Sequence, residues 1–233
     1  MSSETIDELR DYDLKIIQPK RGYRFSVDPL LLCEFAGICN GRIIDLGTGS
    51  GVIGLVMARK SPDSTVIAVD VCDASICLAE RNILLNNLSE RVSVCHSDIL
   101  TLNTRFAVSS FDLVLSNPPY RKRGCGRISP HAGRDIGRHE STAGLIDFLS
   151  AAKYLVKPAG KICLIYHVSR LAELFSTAVQ LNLTPLRMRM VHSDTAAEAG
   201  MVMMELAKGR RGELAILPPC FVRQDAADSH CQS

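Results

Sequence analysis

Short runs rich in valine, isoleucine and leucine alternate with helical patterns along most of this 233-residue chain. Parallel strands need a long crossover connection, which is usually a helix, so this order predicts an α/β domain. Its sheet is expected to be twisted, mostly parallel and covered by helices on both faces. The predicted strands are 42–46, 65–70, 91–96, 111–116 and 161–166, and the predicted helices are 51–59, 73–87, 141–155 and 169–181.

The end of this pattern differs from the rest. Residues 186–191 and 201–206 are predicted strands, but only a short link, 194–200, separates them. A crossover helix does not fit comfortably into that link, so at least one of the two strands is expected to be antiparallel.

The first 40 residues are predicted to form a hairpin and a helix that pack on the core. Residues 15–18 and 23–26 are the two arms of the predicted hairpin. Asp28 is placed as the N-cap of the helix and Pro29 as its first residue. We therefore divide the chain into residues 1–40, a main domain of residues 41–222, and a polar tail of residues 223–233 that is expected to be disordered.

Composition restricts the class of protein. Hydrophobic residues make up 46% of the chain and charged residues 22%, as in ordinary globular proteins, and the net charge of +2 does not by itself indicate nucleic-acid binding. No apolar run approaches the ~20 residues that span a bilayer, and residues 1–9 lack the features of a signal peptide. The nine cysteines form no C-x-x-C pair. We therefore expect reduced thiols, no metal site, no membrane contact and a cytoplasmic location.

A glycine-rich turn joins the first strand of the main domain to the helix that follows it. Gly47, Gly49 and Gly51 permit positive φ angles and a close approach of a ligand to the backbone. The start of the helix adds free N–H groups. Residues 49–54 also match G-x-G-x-x-G, so a dinucleotide such as NAD and S-adenosylmethionine are both candidate ligands. Either ligand predicts an acid at the end of the next strand for the ribose hydroxyls, and Asp70 stands there.

Two further carboxylates are candidate binding residues, and the first of them distinguishes between the two candidate ligands. Asp45 precedes the glycines, where it would repel a pyrophosphate but would hold the ammonium of a methionine-like group, directly or through water. This residue favours S-adenosylmethionine. Asp98 follows the third strand, and its carboxylate has two possible roles. It could accept from the amino group of an adenine, or it could cap a short helix that begins at Ile99.

The sequence Asn117-Pro118-Pro119-Tyr120 follows the strand 111–116 directly. Proline has no N–H and a fixed φ, so the two prolines end the strand in a stiff turn. This turn presents a planar amide, carbonyl oxygens and an aromatic ring. These groups suit a flat amino group, because the oxygens accept its protons and the ring stacks on its plane.

A basic, glycine-rich segment, 121–139, comes next. Basic side chains beside a substrate pocket neutralise phosphates, so we interpret this segment as a contact with RNA. The residues assigned to that contact are Arg121, Lys122, Arg123 and Arg127.

With these two turns in this order, residues 42–166 resemble the class I (Rossmann-like) S-adenosylmethionine-dependent methyltransferases that carry an Asn-Pro-Pro-Tyr motif. That group methylates planar amino nitrogens, such as adenine N6 and the glutamine amide of release factors, or guanine N2 where phenylalanine ends the motif. The flanks give a closer match. Residues 16–28, Ile-Ile-Gln-Pro-Lys-Arg-Gly-Tyr-Arg-Phe-Ser-Val-Asp, and residues 208–219 resemble the opening and closing segments of the tRNA1(Val) adenine-37 N6-methyltransferase family.

The resemblance implies N6-methylation of adenine in RNA, in a tRNA beside its anticodon, with S-adenosylmethionine as cofactor. Asn117, Pro118, Pro119 and Tyr120 would then be the catalytic residues. Three alternatives stay open at this point. They are methylation of a protein glutamine at N5, methylation of rRNA guanine at N2, and, from a different class, NAD-dependent oxidation and reduction.

Overall fold

The computed structural model describes residues 4–20, 24–119 and 143–222. Two sheets are formed: a two-stranded sheet from β1 and β2, and a nine-stranded sheet from β3 to β11. The strands are β1 (Glu4–Leu9), β2 (Leu14–Pro19), β3 (Arg42–Leu46), β4 (Thr65–Asp70), β5 (Val92–His96), β6 (Phe111–Ser116), β7 (Val156–His167), β8 (Leu183–His192), β9 (Ala199–Lys208), β10 (Ala215–Ile216) and β11 (Cys220–Phe221).

The large sheet is mostly parallel, as predicted. Its order is β10-β8-β9-β7-β6-β3-β4-β5, with β11 also paired to β8. Five neighbouring strands are parallel to one another: β5, β4, β3, β6 and β7. The strand β9 lies between β7 and β8 and is antiparallel to both. The antiparallel strand that was predicted from the short link between these two strands, β8 and β9, is therefore present.

Helices cover both faces of the large sheet, which confirms the predicted α/β class. They are α1 (Asp28–Ala36), α2 (Val52–Lys60), α3 (Asp73–Leu85), α4 (Leu145–Leu155) and α5 (Leu171–Gln180), with short 3-10 helices at Arg10–Tyr12, Ile99–Thr104 and Val168–Arg170. One apolar core lies between the sheet and α1, α2 and β2. A second core lies between the opposite face and α4 and α5.

The predicted N-terminal hairpin is wrong in its partner strand. β2 pairs antiparallel with the upstream strand β1, from Leu9 opposite Leu14 to Glu4 opposite Pro19. Residues 24–26 form no strand, and residues 21–23 lie outside the described part of the chain. The helix that follows does begin at Asp28, although its N-cap is Val27 and Asp28 is the first helical residue.

Cysteine chemistry differs from the prediction at one position. Six cysteines in the described residues are free thiols: Cys33, Cys39, Cys72, Cys77, Cys95 and Cys163. Cys220 is disulfide-bonded, so the prediction of reduced thiols fails there. Among the described residues, none of the helices is long and apolar enough to cross a membrane. The predicted tail, 223–233, lies outside the described residues.

Candidate functional site

The large sheet reverses its strand order between β3 and β6. β3 pairs with β4 on one side and with β6 on the other, and all three strands run in the same direction. Leu46, the last residue of β3, lies opposite Val69 on one neighbour and Ser116 on the other. In open α/β sheets, ligands bind beyond the carboxyl ends of the strands at such a reversal. The glycine turn and the proline turn both emerge at this position.

The glycine turn is held by backbone hydrogen bonds to the neighbouring strand. The N–H groups of Gly47 and Thr48 both donate to the Val69 carbonyl at 2.9 Å. The φ angles are +79° at Gly47, +57° at Gly49 and +85° at Gly51, all in the left-handed region. A residue with a Cβ is strained in this region, so all three positions favour glycine. α2 begins immediately afterwards, at Val52.

The three glycines differ in how much space there is for a side chain. A Cβ on Gly47 would lie 3.3 Å from the ring of Phe148, and one on Gly51 would lie 3.2 Å from the Cβ of Ala79. A Cβ on Gly49 would meet no atom of the described residues within 4 Å. The turn is thus packed against α3 and α4 at two glycines and open at the middle one, where a ligand can approach the backbone.

Asp70 ends β4 and holds the tip of the turn. Its Oδ2 accepts from the backbone N–H of Gly49 at 2.8 Å, and its Oδ1 accepts from the backbone N–H of Cys72 at 2.9 Å. The residue is half-buried. A carboxylate oxygen has room for a second hydrogen bond, so both oxygens can also accept from neighbouring hydroxyl groups.

Asp45 lies in β3 with none of its surface exposed. Its Oδ2 accepts from the Thr48 hydroxyl at 2.6 Å. Its Oδ1 is buried and has no hydrogen-bond partner within residues 4–20, 24–119 and 143–222. Burial raises the pKa of this carboxyl from its ordinary value of 3.8 to about 7, against the opposing effect of the Thr48 hydrogen bond, and negative Asp70 adds to the rise. An unpartnered buried carboxylate oxygen is costly, and a cation placed beside it would remove that cost.

Asp98 follows β5 and caps the 3-10 helix Ile99–Thr104. Its Oδ1 accepts from the backbone N–H of Leu100 at 3.0 Å. The structure thus contains the helix cap, which was one of the two roles predicted for this residue. Asp98 stands at the same edge of the sheet as Asp70, because β4 and β5 are parallel and Asp70 lies opposite His96.

The proline turn follows β6 at the sheet reversal. Pro118 is buried, Asn117 is half-buried and Pro119 is exposed. The residue before them, Ser116, is buried and donates from its hydroxyl to the Leu46 carbonyl at 2.8 Å. This side-chain bond fixes the start of the proline turn against the start of the glycine turn. The predicted stacking residue and the predicted RNA contacts lie outside the described residues: Tyr120, Arg121, Lys122, Arg123 and Arg127.

Residues 27–169 match the family described as the methyltransferase small domain. The chain belongs to this methyltransferase family.

Two curated relatives are similar to this methyltransferase over much of its length. The tRNA1(Val) (adenine(37)-N6)-methyltransferase of Aeromonas hydrophila is 29% identical over 199 residues, covering 83% of this chain and 82% of the relative. The protein of the same name from Tolumonas auensis is 33% identical over 165 residues, covering 70% of this chain and 67% of the relative. The predicted family resemblance is therefore confirmed.

A solved structure shows the same fold. The crystal structure of M. jannaschii TYW2 in complex with AdoMet has a TM-score of 0.61 and 15% sequence identity, covering 89% of this chain and 88% of that one. At this identity the likeness concerns the fold alone. It confirms the predicted class I S-adenosylmethionine-dependent methyltransferase fold.

Two polar residues near the methyltransferase's glycine turn were not predicted. Thr48 supplies the hydroxyl that binds Asp45, and Asn82 of α3 donates to the carbonyl of Ser50 at 2.9 Å. A hydroxyl residue three positions after a strand acid is a weak sequence signal. The asparagine gives a clearer one, since it lies in the middle of a helix whose inward face is otherwise apolar. Among the described residues, no group of three His, Cys, Asp or Glu side chains has an arrangement that would hold a metal ion.

Proposed function

We propose that this protein methylates the N6 amino group of an adenine in tRNA, beside the anticodon, with S-adenosylmethionine as methyl donor. One observation carries this proposal: the glycine turn and Asn117-Pro118 emerge side by side, from β3 and β6, at the reversal of the sheet. This arrangement supports a donor site at the first turn and an acceptor site for an amino group at the second. The names of the relatives supply the choice of tRNA and of adenine.

The residues at the glycine turn fit S-adenosylmethionine. Asp70 would bind the ribose hydroxyls through the second lone pairs of its two oxygens. The buried, unpartnered Oδ1 of Asp45 suits the ammonium of the methionine part, directly or through water. Gly49 leaves its backbone open to close approach. Asp98 would accept from the adenine amino group while its Oδ1 caps the 3-10 helix.

The acceptor side needs no strong base. The lone pair of an exocyclic amine is delocalised into its ring, which makes the nitrogen a poor nucleophile. The Asn117 side-chain oxygen and the Pro118 carbonyl would accept the two amino protons and aim the nitrogen lone pair at the methyl group. Pro119 stiffens the turn, and Tyr120 would stack on the base. When bound, the cofactor supplies a methyl group on a positively charged sulfur.

The transfer itself depends on alignment. A nitrogen–carbon bond forms as the sulfur–carbon bond breaks, and the amino nitrogen then releases one proton to water. Holding the two reactants in line is the main contribution that Asn117 and Pro118 make. Their oxygens would also stabilise the positive charge that develops on the amino nitrogen.

An RNA substrate is favoured over a protein substrate by the basic segment that follows the proline turn. Arg121, Lys122, Arg123 and Arg127 would neutralise phosphates beside the target base. The base must be unstacked to reach the turn, and an anticodon loop offers such bases at lower cost than a duplex. We place this activity in the cytoplasm, because tRNA is found there.

The deciding experiment is mass spectrometry of nucleosides from bulk tRNA incubated with the protein and isotopically methyl-labelled S-adenosylmethionine. We expect labelled N6-methyladenosine, and no label with the Asn117→Ala protein. Labelled N2-methylguanosine would overturn the choice of base. Label that appears only on a glutamine-containing release-factor substrate would overturn the choice of RNA.

A further inference from the structure

Two asparagines of α3 bind the backbone of β2 in the manner of a neighbouring strand. Asn82 accepts from the Ile17 N–H at 2.7 Å and donates to the Ile17 carbonyl at 3.2 Å. Asn86 repeats this with Lys15, accepting and donating at 2.8 Å. Four residues of helix rise about 6 Å and two residues of strand about 6.6 Å, and the backbone groups of alternate strand residues point to the same edge, so the two spacings match. The edge of the small sheet is thereby closed by a helix.

Each asparagine makes one further donation, and the two differ in its target. Asn86 donates to the Asn82 carbonyl within its own helix at 2.7 Å. Asn82 donates to the Ser50 carbonyl, inside the glycine turn, at 2.9 Å. The same amide therefore contacts β2 and the turn.

The contact between α3 and the glycine turn is close and buried. Asn82 is fully buried, and Ala79, one turn earlier on α3, is also fully buried. A Cβ on Gly51 would lie 3.2 Å from that of Ala79, so the turn has no room to move towards the helix. A buried amide that loses one partner carries an unsatisfied polar group, so the three hydrogen bonds of Asn82 are mutually dependent.

The hairpin is also attached to α3 through its other strand, β1. Arg81 forms two hydrogen bonds to the carboxylate of Glu4, at 2.8 and 2.7 Å. Within the hairpin, Gln18 donates to Asp7 at 2.6 Å and accepts from the N–H of Phe25 at 3.0 Å. The small sheet therefore docks on α3 as a unit, and Asn82 is the point where that unit meets the turn.

We propose that Asn82 is a positioning residue that couples the β1–β2 hairpin to the glycine turn, so that affinity for the methyl donor depends on the bridge that its amide makes between them. This inference rests on the proposed cofactor site at the turn. Coupling between two sites is reciprocal, so a bound donor must also stabilise the docked hairpin. The hairpin thereby contributes to the proposed cofactor site through Asn82.

The chain offers a matched pair of variants. Asn82→Ala and Asn86→Ala each remove one accepted and two donated hydrogen bonds, and both release one residue of β2. Only the first frees the Ser50 carbonyl. We expect Asn82→Ala to raise the Kd for S-adenosylhomocysteine about ten-fold and Asn86→Ala to raise it less than about two-fold, since one lost buried hydrogen bond corresponds to roughly a factor of ten. In both variants kcat at saturating donor should stay near that of the parent protein.

Hydrogen exchange measured by mass spectrometry gives a readout that does not depend on catalysis. Both variants should speed exchange in β2, but only Asn82→Ala should speed it at residues 47–51. Adding S-adenosylhomocysteine should slow exchange at Lys15 and Ile17 in the parent protein. In each variant the informative amide is the one that keeps its acceptor: Ile17 should still be slowed in Asn86→Ala, whereas Lys15 should be slowed much less in Asn82→Ala.

Equal effects of the two variants, on both Kd and exchange at residues 47–51, would overturn the inference. If the parent protein does not bind S-adenosylhomocysteine at all, the proposed function fails instead. The exchange comparison without ligand would then still decide whether Asn82 holds the turn. If Asn82→Ala does not fold, Asn82→Ser, which keeps a small polar side chain, takes its place in the comparison with Asn86→Ala.

Discussion

The backbone N–H of Gly49 donates to the Oδ2 of Asp70 at 2.8 Å, across the gap between the glycine turn and the end of β4. The carboxylate thus sets the shape of the turn through its own hydrogen bond. Its other oxygen holds the N–H of Cys72, at the start of α3. One side chain therefore orders both backbone segments that border the proposed ribose site.

Replacing Asp70 should weaken donor binding strongly, although the residue is only half-buried. We expect Asp70→Ala to raise the Kd for S-adenosylhomocysteine by about two orders of magnitude, because two charge-assisted hydrogen bonds to the turn and the proposed ribose contact are lost together. Isothermal titration calorimetry measures this directly. Asp73→Ala is the control, since Asp73 is an exposed acid three residues later that pairs with His96. An Asp70→Ala protein that binds as well as this control would exclude the ribose role.

Donor binding should strengthen as the pH rises through 7. Burial raises the pKa of Asp45 to about 7, so a large fraction of the carboxyl is protonated in the ligand-free protein at neutral pH. A cationic donor favours the ionised form, and binding below pH 7 must therefore release a proton. Calorimetric titrations at pH 6 and pH 8, in buffers of different ionisation enthalpy, would count that proton. Proton release that persists in Asp45→Asn would assign it to another group.

The Asp45 carboxyl also affects the stability of the ligand-free protein. Its contribution to stability should fall as the pH rises, whereas donor binding should strengthen. Its folded pKa lies above its unfolded value, so the folded state binds more protons between about pH 4 and pH 7. This contribution to the free energy of unfolding is therefore lost as the pH rises through that window. Asp45→Asn should flatten the dependence, as measured by urea unfolding at pH 5 and pH 8.

Asn117 should affect turnover and leave donor affinity intact. We expect Asn117→Ala to lower kcat by at least about a hundred-fold, because alignment of the amino nitrogen is lost, while the Kd for S-adenosylhomocysteine stays unchanged. Single-turnover methylation of tRNA with saturating donor separates these quantities. A loss of donor affinity without a loss of rate would place Asn117 in the cofactor site instead of the acceptor site.

Gly47 should tolerate a side chain less well than Gly37, a glycine with a similar φ. Gly47 has φ +79° and its added Cβ would lie 3.3 Å from Phe148, whereas Gly37 has φ +72° and open space around it. Both Gly→Ala variants should lose about 1 kcal/mol through backbone strain, as measured by thermal unfolding. Only Gly47→Ala should also weaken binding of S-adenosylhomocysteine. Equal binding by the two variants would mean that the turn adjusts without cost.

Strands with sharp boundaries were predicted to the residue. β3, β4 and β6 begin and end where the sequence analysis placed them. Glycine or proline follows β3 and β6 closely, and these residues change the backbone in ways that a strand does not tolerate. The proposed site residues stand at the same boundaries, which is why the sequence alone could suggest them; their roles stay a prediction.

Elements that depend on distant contacts were not predictable in the same way. β1 is a polar strand whose isoleucine, Ile6, is 60% exposed, so it gives almost no apolar signal. It forms because β2 docks on α3 through Asn82 and Asn86, which sequence periodicity does not reveal. β7 begins at Val156, five residues before the predicted start at 161, and includes Gly160, a residue type that is common in turns.

The structure gives Gly160 a different role. A Cβ at this position would lie 2.8 Å from the Asp112 carbonyl oxygen, so the glycine permits close approach of two strands. The pairing of β6 with β7 shifts register between Phe111 and Leu113, beside this contact. A glycine within a strand often marks such an irregularity.

The hydrogen bond from the Ser116 hydroxyl to the Leu46 carbonyl helps to fix the alignment of β6 against β3. Donor-side and acceptor-side residues stand on strands that are far apart in the chain, and the distance between them is set by how β6 is aligned against β3. A slip of two residues would keep every side chain on its own face yet carry Asn117 along the strand by about 6.6 Å. Reactive groups must be placed within about 0.5 Å, so a protein misaligned in this way would retain its fold and its donor while transferring nothing.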